Sequence, residues 1–258
     1  DFSPKAINDC IARIAEKLEP SYNKIEEDLK NENYANCDET SWPVNGMRWY
    51  LWMIVTSNFV FIKIQNSRAR RVLIDIFGKD YHGGIISDCF KVYDNFAEWY
   101  QKCWAHLLRK ARFEAEKYPK KNIVKFYEQL RHLHKEMADF LKENPPPDLR
   151  REKKIEFEKM LNEIINYKHW CKEAQSIIDN RLIAYRNHWL TAIEIEGISL
   201  DNNLCERKIR GSIGWRKMLG GHRTGEGAKQ YAIIETHRQT WKHQGKYPYN
   251  ELLNVLKN

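Results

Sequence analysis

No two of the six cysteines form a C-x-x-C pair, and the six lie far apart at positions 10, 37, 89, 103, 171 and 205. That spacing excludes a disulfide framework and reads as a reduced, intracellular protein. The chain also lacks a long apolar run. Its best candidate, Trp49 to Ile64, is interrupted by Thr56, Ser57 and Asn58 and contains Lys63. It falls short of the about 20 apolar residues a spanning helix needs. The opening, DFSPKAINDC, has no signal-peptide pattern, and neither an internal repeat nor a low-complexity tract is present. The expectation is a soluble, cytoplasmic protein with no membrane partner.

What is present suits a packed core: 258 residues, 42% of them hydrophobic. Charge is unbalanced, with 43 Lys+Arg against 35 Asp+Glu, a formal +8. Such an excess fits a polyanionic partner, and it fits a solubility device equally well.

Apolar residues at three- and four-residue steps (Ile7, Ile11, Ile14, Leu18, Ile25, Leu29), after Ser3-Pro4, predict a helix over 1–30. Arg48–Thr56 and Phe59–Gln65 are rich in aromatic and β-branched residues around Ser57-Asn58, and predict a hairpin. A helix is expected over Arg68–Phe77. After Gly83-Gly84, Ile85-Ile86 form a short strand ending at Ser87-Asp88, and another strand is expected near Trp99–Trp104. From 105 to about 195 the pattern is helical and rich in Lys and Glu, and Pro145-Pro146-Pro147 divides it. Between 201 and 243 stand nine Lys/Arg, four Asp/Glu and a set of glycines. The expected organisation is a helical lead-in (1–30), the first part of an α/β core (31–104), a helical insertion (105–197) and the closing part of the core with basic helices (198–258).

Three acids stand where chemistry is plausible. Asp38 ends the short segment Tyr34–Cys37, Asp88 ends the Ile85-Ile86 strand, and Glu206 lies one turn into a helix that Asp201, Asn202 or Asn203 would cap. Carboxylates at strand ends converge on one sheet edge and can hold Mg²⁺ through hard oxygen ligands. The alternative is structural, with the aspartates as turn residues and Glu206 pairing with Arg210 at i,i+4. Glu39 reads as an outer group supporting Asp38 or as a solvated neighbour, and the second reading is preferred. Cys103-Trp104-Ala105-His106 is half a zinc site, and no partner pair completes it. Arg207, Lys208, Arg210, Arg216 and Lys217 read as phosphate contacts or as a solvated helix face. Gly211, Gly214, Gly220 and Gly221 would let a loop approach a backbone closely, and they do not form a P-loop. Trp170 or Trp189 would be available to stack on an unpaired base.

Four stretches in collinear order carry a resemblance: DETSWPVNGMRWYLWMIV from 38, GGIISDCFKVYDNF from 83, CWAHLLRKARFEA from 103, and DNNLCERKIRGSIGWRKMLGGHRTGEG from 201 onward. Together they resemble the catalytic domain of insertion-sequence transposases of the IS sixty-six group. The resemblance implies an RNase H-like α/β fold, a mixed sheet flanked by helices, with an all-helical insertion before the helix carrying the third acid. It implies a DDE transposase that cleaves and joins DNA with two Mg²⁺ ions, for which Mn²⁺ would substitute. The acid of the family's D-E-T motif falls on Asp38, the acid after its short strand on Asp88, and the glutamate of D-N-N-x-x-E-R on Glu206. Cys103 and His106 would be accessory residues near that site. The implied partners are transposon ends and target DNA, with a homo-oligomer on DNA in a prokaryotic, nucleoid-associated setting. Members of this group carry further N-terminal segments that recognise the element ends, so the chain reads as a fragment, or end recognition comes from elsewhere. A catalytically silent, domesticated DNA-binding module and a general RNase H-like nuclease are the rival readings.

Overall fold

The computed structural model describes residues 3–119, 121–169 and 171–257. Helix α1, Pro4–Asp28, is capped by Ser3, whose hydroxyl accepts from the Ala6 amide, as the Ser-Pro start predicts. Strands β1 (Tyr34–Val44), β2 (Met47–Val55) and β3 (Val60–Gln65) follow as an antiparallel meander. The β2–β3 hairpin matches expectation. The β1–β2 hairpin, turning at Asn45-Gly46 with φ +49 and +71, is new to the reading, although Asn-Gly is the strongest short hairpin signal. Helix α2 (Arg71–Phe77), β4 (Tyr81–Ser87) and β5 (Ala97–Lys102) complete a mixed five-stranded sheet of order β3-β2-β1-β4-β5. Trp104, expected at the end of a strand, instead opens helix α3, Trp104–Lys117.

Helices α4 (Lys121–Lys142), α5 (Pro147–Asn166), α6 (Lys172–Ile177) and α7 (Thr191–Glu194) fill the middle of the chain, with a π-helical turn at Ile178–Ile183. Basic helix α8 (Asn203–Leu219), α9 (Gly225–His243) and α10 (Pro248–Lys257) close it. The chain is an α/β fold with a mixed sheet flanked by helices, consistent with the RNase H-like expectation.

Two compact units are present: Asp1–Ile85 with Lys91–Glu98 and Asn203–Asn258, and Ile86–Phe90 with Trp99–Asn202. The first is built on alternation along β1–β3. Trp42, Val44, Leu51, Met53, Val55, Val60, Ile62 and Ile64 share a core with Cys205 and Ile209 of α8 and Ala228 and Ala232 of α9, as a period of two requires. Edge strand β3 is covered by α9 through hydroxyls: Thr240 Oγ1 accepts from Val60 N and donates to Val60 O, both at 3.0 Å, and Thr236 Oγ1 accepts from Ile62 N at 2.9 Å. These bonds occupy backbone groups that an uncovered edge would offer to another chain.

The second unit is closed by its own ends. The Trp104 Nε1–H donates to Trp189 O at 2.7 Å, the Gln101 side chain accepts from Ala192 N at 2.8 Å, and Thr191 Oγ1 donates to Tyr100 O at 2.6 Å. The segment Trp189–Ala192 is thereby fixed to β5 and to the start of α3.

Candidate functional site

Asp38 does not end a strand: β1 runs on through it, and Asp38 pairs with Met53 in the middle of the β1–β2 ladder. The segment Tyr34–Cys37 is polar for a strand, but its register is held by the apolar β2 opposite. Asp38 Oδ1 accepts from the Glu39 N–H at 2.9 Å, which orients the carboxylate. Alternation turns Glu39 to the opposite face. There its side chain is 4% exposed, paired with Arg68 and accepting from Tyr93 Oη. Glu39 is therefore an internal ion-pair residue and not a solvated neighbour.

Helix α8 packs on β1 and β2. Cys205 enters the core, its thiol 3.5 Å from Met53 O. Burial pushes that thiol well up, and the charges of Asp38 and Glu206 push it further. Glu206 is 8% exposed, and its i,i+4 partner Arg210 stands 4.0 Å away with 71% of its side chain exposed. A surface pair at that separation contributes little, so the helix-pair reading does not account for a carboxylate taken out of water.

Farther along α8, Arg216 Nη1 donates to Thr40 Oγ1 at 2.9 Å and to Ser41. Of the five basic residues expected at phosphates, Arg216 is thus committed to β1. Arg207, Arg210 and Lys217 are exposed, and Lys208 is half-buried. Burial lowers the Lys208 pKa, and the neighbouring charges of Arg238, Lys242 and Arg207 add to that effect. Arg238 and Lys242 extend the positive surface onto α9, and the sequence reading passed over both. Gly211 and Gly214 lie inside α8 and not in a loop. Gly221 does make the close approach: it has φ +102, and a Cβ there would fall 2.2 Å from Pro43 O.

In the second unit Asp88 follows β4, and its Oδ1 accepts from Phe90 N at 2.8 Å, an Asx turn. Cys103 is fully buried at the N-cap of α3, and its Sγ accepts from Asn202 N at 3.1 Å. Asp201 caps α3: its Oδ1 accepts from Ala105 N at 2.7 Å, and its Oδ2 stands 3.3 Å from His134 Nε2. His106, one turn into α3, lines a cavity of about 350 Å³ that Asp88 also lines. Trp189 is fully buried and cannot stack on a base. The corresponding expectation for Trp170 lies outside the described residues. The same cavity is lined by Arg109, Phe113 and Arg181, none singled out from sequence. Their signal was the four-residue step from Arg109 to Phe113 on α3, in phase with His106.

Among the described residues all six cysteines are free and no helix is long and apolar enough to cross a membrane. The family model described as Transposase IS66 family matches residues 1–230. Comparison with curated proteins and with solved structures yields no match.

Proposed function

The chain belongs to the IS66 transposase family, and from that premise we propose that it cleaves DNA at transposon ends and joins the freed 3′ end to target DNA. The observation that carries the reading is a family match spanning Asp38, Asp88 and Glu206 together, with all three acids present. Their chemistry fits divalent magnesium: three hard carboxylates, of which Glu206 is 8% exposed. Two bound Mg²⁺ ions would supply an activated nucleophile and a stabilised leaving oxygen.

The residues' own parts follow from where each sits. Asp38, held by the Glu39 amide on a paired strand, and Asp88, held by the Phe90 amide, present oriented carboxylates. Glu206 projects from a rigid helix and completes the ligand set. Arg207, Lys208, Arg210 and Lys217 draw the DNA backbone to that helix, and binding weakens with salt as counterions are released. Arg216 holds α8 to β1 and keeps Glu206 in register. Cys103 and His106 are accessory, Cys103 fixing the start of α3 and His106 facing the cavity beside Asp88. The acting species is a homo-oligomer that pairs two ends, in a prokaryotic cytoplasm.

Nicking of a supercoiled plasmid carrying the element ends tests the reading. Cleavage is expected with Mg²⁺ or Mn²⁺ and is lost with EDTA. Asp38→Ala, Asp88→Ala and Glu206→Ala each abolish cleavage while retaining DNA binding. Cleavage by Asp88→Ala at a comparable rate contradicts the assignment. DNA binding without cleavage by the unaltered chain favours a silent binding module, and preference for RNA–DNA hybrids favours a general nuclease.

A further inference from the structure

The cavity lies wholly within the second unit, and besides the Asp88 carboxylate and the His106 ring its lining has three chemistries. Leu107 and Cys89 make an apolar floor. The ring of Phe113, 56% exposed, makes a wall. Arg109, Lys110 and Arg181 make a cationic rim. An exposed phenylalanine costs solvation, and this one sits among charges: Lys110 Nζ lies 5.7 Å and Lys117 Nζ 6.0 Å from its ring centroid.

Arg181 reaches the cavity from the π-helical turn Ile178–Ile183. Such turns are rare and occur frequently at functional sites. This one is pinned, since Arg181 O accepts from Trp189 Nε1 and from Tyr185 N, both at 3.1 Å. Burial pushes the Cys89 thiol's pKa up, and the neighbouring Arg181 charge opposes that shift.

Duplex phosphates need cations and no aromatic wall. A ring, an apolar floor and a cationic rim together match a group with a flat π-face and an anionic tail, which is a nucleotide out of its stack. The volume, about 350 Å³, is at the small end of the range of about 300–1,000 Å³ for ligand pockets. We propose that this cavity takes one unpaired nucleotide of the DNA strand, its base against Phe113 and its phosphates on Arg109, Lys110 and Arg181. The inference rests on the reading that the chain acts on DNA, and names where a strand departs from the duplex beside Asp88.

The test uses the full chain in EDTA, so that no cleavage intervenes, with a single-stranded oligonucleotide carrying 2-aminopurine. Stacking is expected to change the fluorescence on binding. Phe113→Ala is expected to remove the change and to weaken single-strand binding about five- to hundredfold, the range for loss of one base–aromatic stack. Phe113→Trp retains both, and Arg181→Gln weakens binding. Because Phe113 is exposed, the melting temperature of Phe113→Ala is expected to be unchanged. Unaltered affinity and fluorescence in Phe113→Ala overturn the proposal. Competition by a free deoxynucleoside monophosphate as strong as by the oligonucleotide overturns the strand as the source. A chain that cleaves DNA while Phe113→Ala binds normally refutes the cavity alone, whereas a chain that binds no DNA of any form refutes both readings.

Discussion

Replacing Thr240 with valine keeps the side-chain volume and removes the hydroxyl that bridges Val60 N and Val60 O at 3.0 Å each. Both are backbone groups of a buried residue on an edge strand. Leaving a buried polar group unsatisfied costs about 1–3 kcal/mol, so Thr240→Val is expected to destabilise by about 2–4 kcal/mol, a large part of the about 5–15 kcal/mol that separates folded from unfolded domains. Thr236→Val is milder. It orphans Ile62 N, but Ile62 O keeps its 2.9 Å bond from Tyr22 Oη, so about 1–2 kcal/mol is expected. Thr→Ser at either position keeps the hydroxyl and costs less than Thr→Val. Urea denaturation measures this directly, with the midpoint falling at an unchanged slope. If Thr240→Val unfolds at the parent midpoint, or Thr240→Ser costs as much as Thr240→Val, the hydroxyls do not hold that edge and packing of the methyl groups does.

Gly211 and Gly214 are helical with open space where a Cβ would stand; Gly→Ala at each is expected to raise stability by about 0.5–1 kcal/mol, measured by urea midpoint. Gly221→Ala acts oppositely, since a Cβ would meet Pro43 O at 2.2 Å with φ at +102, and a fall in the thermal midpoint is expected. Burial holds His222 and His237 below the ordinary imidazole value of 6.5, and His222 Nδ1 accepts from Trp42 Nε1 at 3.0 Å, which requires a bare nitrogen. Between the folded and unfolded values the unfolded chain binds more protons. The stability from these rings is therefore present above pH 6.5 and lost as pH falls below it, which urea midpoints between pH 7.5 and 5 would show; a flat profile would contradict it.

Much of the fold was legible because periodicity is a local signal. The Ser3-Pro4 start, the β2–β3 hairpin and the helical middle all follow from spacing and turn chemistry. Strand β1 was read too short because Tyr34–Thr40 is polar, and its length is set by the partner strand, which no local window contains. Glu39 was misjudged for a related reason: its role depends on Arg68 and Tyr93, distant in sequence. Asp201 illustrates a further limit, because its bond to the Ala105 amide at the start of α3, nearly a hundred positions earlier, lies outside any local window. The acids were proposed from motif order, while Arg109, Phe113 and Arg181 emerged only when the fold brought α3 and the π-helical turn around one cavity.

The central claim is that Asp38, Asp88 and Glu206 hold the same divalent metal. Anomalous diffraction from a Mn²⁺-soaked crystal of the unaltered chain tests it most directly. Manganese coordinated by oxygens of all three acids is the predicted result, and manganese bound elsewhere, or by none of the three, in a chain that still cleaves DNA would contradict it.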